Sequence, residues 1–158
     1  MANHGDFTYD VFMSFKGENG TRYAFTDHLY RALLRHGINA FRDDQSLRSG
    51  DEIRPSLLQA IEASRISLVV LCQNYASSSW CLDELAKIIH CYENKGKHVV
   101  AIFYLVEPSD VRYQKNSYAT AMSKHESRYG KDSEKVKTWR SALARVCDLT
   151  GIHYRNHM

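Results

Sequence analysis

The chain has 158 residues, of which 44% are hydrophobic and 25% are charged, so its composition excludes the disordered and fibrous classes. A chain of this length fits one domain with one core. Lysine and arginine number 21 against 18 acidic residues, a formal net charge of +3, and the basic residues are scattered. No run of them is dense enough to follow a phosphate backbone, so a nucleic-acid partner is not indicated.

The longest apolar segments, 66–72 and 99–106, are far shorter than the ~20 residues of a membrane-spanning helix. Residues 1–20 lack the apolar region of a signal peptide. The four cysteines form no CxxC pair, and three of them lie in apolar segments, as reduced and buried thiols do. We therefore expect a soluble protein without a membrane or metal partner, located in the cytoplasm or also in the nucleus.

Strands and helices alternate along the first third of the chain. Residues 9–15 (YDVFMSF) are rich in β-branched and aromatic residues and predict a buried first strand. Residues 38–42 predict a short second strand, which a long polar loop separates from a helix with Pro55 in its first turns. Between these strands lies a predicted helix that ends at Gly37 and has an apolar face formed by Phe25, Leu29, Ala32 and Leu33.

Two further runs, 66–72 (ISLVVLC) and 99–106 (VVAIFYLV), are apolar without alternation, which is typical of central parallel strands covered on both faces. The serines at 77–79 are candidate caps for the helix between them. The predicted buried stripe of that helix is Cys81, Leu85, Ile88 and Tyr92. After Pro108 the chain predicts helical segments with a break near Gly130, and their apolar residues are Tyr118, Met122, Trp139, Leu143, Val146 and Leu149.

This alternation, without hairpin signals, predicts an α/β fold: a doubly wound, five-stranded parallel sheet of flavodoxin-like order with helices on both faces. Ligands of such sheets bind beyond the carboxyl ends of the strands, so the loops that begin at residues 16, 43, 73 and 107 are the predicted functional edge. A phosphoacceptor receiver domain shares this topology but would need an aspartate at the end of the third strand. Cys72 and Gln73 stand there instead, so this class of protein is set aside.

Four segments of the chain, by their sequence, order and spacing, resemble a known family. They are YDVFMSFKGENGTRYAFTDHLYRAL, FRDDQSLRSGDEI, SSSWCLDEL and EPSDVR. They resemble the TIR (Toll/interleukin-1 receptor) domains of plant nucleotide-binding leucine-rich-repeat disease-resistance proteins. The resemblance implies the TIR fold over residues 8–154, with residues 1–7 and 155–158 as flanking tails. It also implies nucleotide-binding and leucine-rich-repeat domains in a full-length chain.

The resemblance further implies an enzyme, an NAD+ nucleosidase that releases nicotinamide and forms ADP-ribose or its cyclic isomers. NAD+ or NADP+ is then the substrate, and no cofactor is required. The essential glutamate of the family lies in the motif that reads WCLDEL here, which makes Glu84 the predicted catalytic residue. The residues alone also allow a simpler interpretation, in which Glu84 lies in the first turn of a helix and stabilises its dipole.

The resemblance implies five substrate-binding residues. Lys16, where the family usually has arginine, and Gly17 offer a cation and a backbone amide to a phosphate. Arg48 lies in the segment that resembles the family's BB loop, which gates the pocket. Ser78 and Trp80 precede the glutamate, as a hydroxyl for ribose or phosphate and as a wall of the pocket. The ordinary alternatives are a helix cap for Ser78 and a core position for Trp80.

Self-association with other TIR domains is the second implied function. Asp27 and His28 stand on the first helix where the family often has a Ser-His pair, and they are the predicted interface residues. Their ordinary alternative is a solvated helix face. Two functions therefore remain open: an enzyme that self-association activates in defence and cell-death signalling, and a non-catalytic scaffold built by homotypic contacts.

Overall fold

A computed structural model describes residues 7–16, 20–42, 55–149 and 151–154. Within these ranges a five-stranded sheet has the order β2-β1-β3-β4-β5, and each neighbouring pair is parallel. This order confirms the predicted doubly wound, flavodoxin-like α/β fold. The strands are β1 (Tyr9–Ser14), β2 (Ala40–Arg42), β3 (Ser64–Leu71), β4 (His98–Tyr104) and β5 (Gly151–Tyr154).

Helices connect the strands, and glycine ends two of them where the sequence predicted. Gly37 follows the first helix with φ +76°, and Gly130 lies between the last two helices with φ +102°, conformations that side chains disfavour. Among the described residues, no helix has the length and apolar character to cross a membrane. The helices are α1 (Gly20–Arg35), α2 (Pro55–Glu62), α3 (Ser79–Lys95), α4 (Pro108–Arg112), α5 (Ser117–Tyr129) and α6 (Glu134–Val146), with a 3-10 turn at Tyr75–Ser77.

The core covers both faces of the central strands. Val69, Val70 and Leu71 are consecutive in β3 and all buried, so side chains that point to opposite faces are both covered. The predicted stripe of α3 is confirmed at Cys81, Leu85 and Ile88, but Tyr92 is 37% exposed. Cys91, three residues after Ile88, is buried instead, although the helical period alone also allows Tyr92, four residues after Ile88.

The strand β5 closes one edge of the sheet and had not been located in the sequence. Its four residues, Gly151–Tyr154, are all exposed, and its two apolar side chains, Ile152 and Tyr154, are too few to predict a strand. The glycine at its start lies against β4: a Cβ at Gly151 would come within 2.9 Å of the Phe103 ring. Any larger residue there would require that ring to move.

Candidate active site at the β1–β3 edge

The sheet order places a crevice between β1 and β3. Strands are added outward from this pair in opposite directions, and ligands of doubly wound sheets bind at such a switch point, beyond the carboxyl ends of the strands. Three polar side chains meet there: Ser14 ends β1, Tyr75 follows β3 in the 3-10 turn, and Glu84 extends from α3. The predicted functional edge and the predicted catalytic residue therefore coincide.

Glu84 is a buried carboxylate, with only 1% of its surface exposed. The simpler interpretation placed it in the first turn of its helix, and that placement is wrong. Because α3 begins at Ser79, neither Glu84 nor Asp83 lies in its first turn. Glu84 instead lies on the inward stripe, three residues after Cys81 and four before Ile88. A carboxylate in that position needs polar partners, since an unpartnered buried charge is strongly unfavourable.

A hydrogen-bond chain supplies such partners. The Ser14 hydroxyl donates to Oε1 of Glu84 at 2.7 Å, and the Tyr75 hydroxyl lies 2.8 Å from Ser14 Oγ. The same tyrosine hydroxyl is 3.0 Å from the Cys81 carbonyl oxygen. Ser14 and Tyr75 are both fully buried. Burial raises the pKa of the Tyr75 phenol well above its usual range, so the phenol keeps its proton.

A second contact ties the start of α3 to the end of β1. The Cys81 thiol donates to the Phe15 carbonyl oxygen at 3.4 Å. Together with the Ser14 to Glu84 bond, it fixes two successive turns of α3 against the same strand. The carboxylate is therefore held between rigid elements, which is how functional groups are kept in position.

The neighbouring carboxylate has a different environment. Asp83 accepts a hydrogen bond from the indole nitrogen of Trp139 at 3.0 Å, so it connects α3 with α6. The two acids of WCLDEL are thus separated by their helical positions: Glu84 faces the sheet and Asp83 faces α6. Lys87, four residues after Asp83, forms an ion pair with Glu62.

The structure gives Ser78 and Trp80 defined positions beside Glu84. Ser78 is the N-cap of α3, and its hydroxyl accepts from the Cys81 backbone nitrogen at 3.2 Å. Trp80 is buried, with 6% exposed. These positions match the ordinary alternatives of a cap and a buried ring; a role of either residue in binding substrate stays a prediction.

The cationic part of the predicted site is only partly described. Lys16 follows β1 at the same edge of the sheet and is half-buried. Gly17, Arg48 and the rest of segment 43–50 lie outside the described residues. In the described ranges, no group of three or more His, Cys, Asp or Glu side chains could hold a metal ion.

The two predicted interface residues differ in their contacts. His28 is exposed on α1, as the inward position of the apolar residues of that helix predicted. Asp27 is part of an ion-pair cluster, with Arg42 at 2.8 Å and Arg31 at 3.0 Å. The hydrogen bonds from Arg42 and then Arg31 hold the pKa of the Asp27 carboxyl below its usual value. Asp27 therefore already has ionic partners within its own chain.

Sequence reasoning did not identify Ser14 and Tyr75 as site residues. One signal was present: the helical spacing from Cys81 to Ile88 places Glu84 on the apolar stripe, where it must have a polar partner. Ser14 is a polar residue at the end of an otherwise apolar run, and Tyr75 follows such a run. Their meeting depends on which strands are neighbours, and local patterns do not contain that information.

Comparisons with known proteins agree on one family. The TIR domain family model matches residues 8–158. The disease resistance protein RPV1 of Vitis rotundifolia is 52% identical over 146 residues, which are 92% of this chain and 10% of that protein. TMV resistance protein N of Nicotiana glutinosa is 47% identical over 144 residues, which are 91% of this chain and 12% of that protein. The chain thus spans about a tenth of the length of these relatives.

A solved structure agrees in fold and in sequence. The TIR domains in the structure of the activated Roq1 resistosome, which directly recognises the pathogen effector XopQ, superpose with a TM-score of 0.85 at 46% identity. The match covers 94% of this chain and 89% of that chain.

Proposed function

Because the chain belongs to the TIR domain family and is highly similar to plant disease resistance proteins, we propose that it is an immune-receptor TIR domain that cleaves NAD+. The observation that carries this proposal is the buried carboxylate of Glu84 at the switch point between β1 and β3. The product signals defence and cell death. The remaining receptor domains, nucleotide-binding and leucine-rich-repeat, would lie elsewhere in a full-length cytoplasmic chain.

The reaction needs one carboxylate. Nicotinamide is bound to ribose through a positively charged ring nitrogen, so the breaking C–N bond returns its electron pair to that nitrogen and neutral nicotinamide departs. No proton transfer to the leaving group is required, whereas ordinary glycosides need a second, acidic carboxyl. The positive charge moves to the ribose carbon and its ring oxygen, where an ionised Glu84 would stabilise it. Addition of water with loss of a proton gives ADP-ribose; addition of another atom of the same molecule gives a cyclic isomer.

The burial of Glu84 supports control by association. With 1% of its surface exposed, the carboxylate must become more accessible before it meets a ribose. In the family, the segment that corresponds to residues 43–50 gates the pocket and contacts neighbouring domains. We propose that contact between TIR domains, with His28 on α1 as part of the interface, arranges this segment and opens the site. Lys16, Gly17, Arg48, Ser78 and Trp80 would then bind the substrate.

The test measures nicotinamide release from NAD+ over a series of protein concentrations, for the parent and for Glu84→Ala. Both proteins are first compared by circular dichroism and by sedimentation, so that fold and self-association are known to match. The proposal predicts release that rises more than linearly with parent concentration and no release from Glu84→Ala. Self-association of both proteins without release from either would leave the scaffold as the function and overturn the enzyme.

A further inference from the structure

The Glu84 carboxylate is fixed to the sheet and not only to its own helix. Ser14, which holds it at 2.7 Å, is the last residue of β1 and is paired in register with Val69 of β3. A strand with parallel neighbours on both sides is among the least mobile parts of such a domain. Glutamate has three side-chain torsions, so a helix alone would leave its carboxylate several orientations.

The direction of the hydrogen bonds follows from the available protons. Ser14 has one hydroxyl proton, which it donates to Glu84 Oε1. Burial keeps the one proton of Tyr75 on the phenol, and the Cys81 carbonyl oxygen at 3.0 Å and Ser14 Oγ at 2.8 Å both lie within hydrogen-bond distance of that hydroxyl. The Tyr75 hydroxyl thus bridges the start of α3 and Ser14, and Ser14 donates to Glu84. The titratable groups that surround the phenol are Cys81, Glu84 and Tyr118.

We propose that Ser14 and Tyr75 are the positioning residues of the site: they orient the Glu84 carboxylate toward the ribose carbon from which nicotinamide departs. This inference rests on the proposed function and adds to it the two residues that hold the one carboxylate in place. Ser14 acts on Glu84 directly, and Tyr75 acts through Ser14. Neither contacts the substrate.

The test compares Ser14→Ala, Ser14→Thr and Tyr75→Phe with the control Ser64→Ala. Ser64 is a matched control because it is also fully buried and donates one hydrogen bond, to the Ala60 carbonyl oxygen at 2.7 Å. It is the first residue of β3 and therefore lies at the end of the sheet away from the site. Chemical denaturation shows how much stability each protein loses. Steady-state kinetics of nicotinamide release then separate kcat from KM.

We expect Ser14→Ala to lower kcat about ten- to a hundredfold with KM little changed, because the carboxylate is misplaced while the binding residues are intact. Tyr75→Phe should lower kcat less, Ser14→Thr should restore most of it, and Ser64→Ala should leave it within about twofold. A kcat for Ser14→Ala equal to that of Ser64→Ala, at comparable stability, would overturn the inference.

A second measurement separates this inference from the proposed function. The carboxyl carbon-13 resonance of Glu84, assigned by its absence in Glu84→Gln, should move in Ser14→Ala and return in Ser14→Thr. If the parent releases no nicotinamide, the proposed function fails, while this spectrum still shows whether Ser14 holds the carboxylate. An unchanged resonance in Ser14→Ala would overturn the positioning role whatever the kinetics show.

Discussion

The N-cap of α3 offers a quantitative test, because Ser78 has two possible roles that one set of variants separates. Its hydroxyl accepts from the Cys81 backbone nitrogen at 3.2 Å, which satisfies one of the donors left open at the helix start. Replacing such a cap with alanine costs about 1 kcal/mol. In a domain of this size the melting temperature should fall by roughly 2–4 °C.

The matched control is Ser79→Ala, one residue further along the chain. Ser79 is half-buried, like Ser78, but is the first residue inside the helix, where no cap is formed. Urea unfolding of both variants is monitored by circular dichroism. If the two m-values are equal, the midpoints give the difference in the free energy of unfolding. We expect Ser78→Ala to be less stable than Ser79→Ala by about 1 kcal/mol.

Ser78→Asp separates the cap from a substrate contact. Aspartate is as good an N-cap as serine, and its charge favours the positive end of the helix. Stability should therefore be kept, whereas a substrate-binding hydroxyl would be lost and a negative charge placed near the NAD+ phosphates, which raises KM. Equal stability of Ser78→Ala and Ser79→Ala would refute the cap, and an unchanged KM in Ser78→Asp would refute the substrate contact.

Three further predictions concern stability, pH and association. Hydrogen bonds from two lysines lower the pKa of Glu62 from 4.5 to about 2, so the stability that its ion pairs contribute is complete above about pH 4.5 and is lost as the pH falls to about 2. Glu62→Gln should therefore flatten the fall in unfolding free energy over that range in acid titrations. Tyr118→Phe removes a buried hydroxyl that donates to the Cys72 carbonyl oxygen at 2.6 Å, so it should lower the free energy of unfolding in urea by about 1 kcal/mol. An unchanged free energy of unfolding would contradict this hydrogen bond. His28→Ala should weaken self-association in sedimentation experiments without changing stability, because the side chain is exposed; unchanged association would exclude it from the interface.

Much of the fold was predictable because the central strands have a strong local signal. The strands β3 and β4 are buried on both faces, and their continuous apolar sequences predict this burial directly. The strand β5 has no such sequence signal, because its residues are exposed. It forms by pairing with the edge of β4. Tyr92 was wrongly expected in the core, because an apolar stripe of period 3.6 leaves two candidates in its last turn and only packing chooses between them.

The site was predictable only in part. Glu84 was identified through the family resemblance. Its position on the buried stripe of α3, beyond the first turn that begins at Ser79, is an independent local signal of a buried carboxylate. The partners Ser14 and Tyr75 lie 70 and 9 residues away from it in the chain. They reach it because β1 and β3 are adjacent in the sheet, which is a property of the topology and not of any segment.

The most direct test of the central claim uses the two neighbouring acids of WCLDEL. Glu84→Gln and Asp83→Asn each remove one negative charge and keep the size of the side chain, and asparagine still accepts from Trp139 through its carbonyl oxygen. Nicotinamide release from NAD+ by the two variants is compared at one high protein concentration. We predict that Glu84→Gln loses at least about a hundredfold in rate while Asp83→Asn stays within a few-fold of the parent. Equal rates in Glu84→Gln and the parent would contradict the assignment of Glu84 as the catalytic carboxylate.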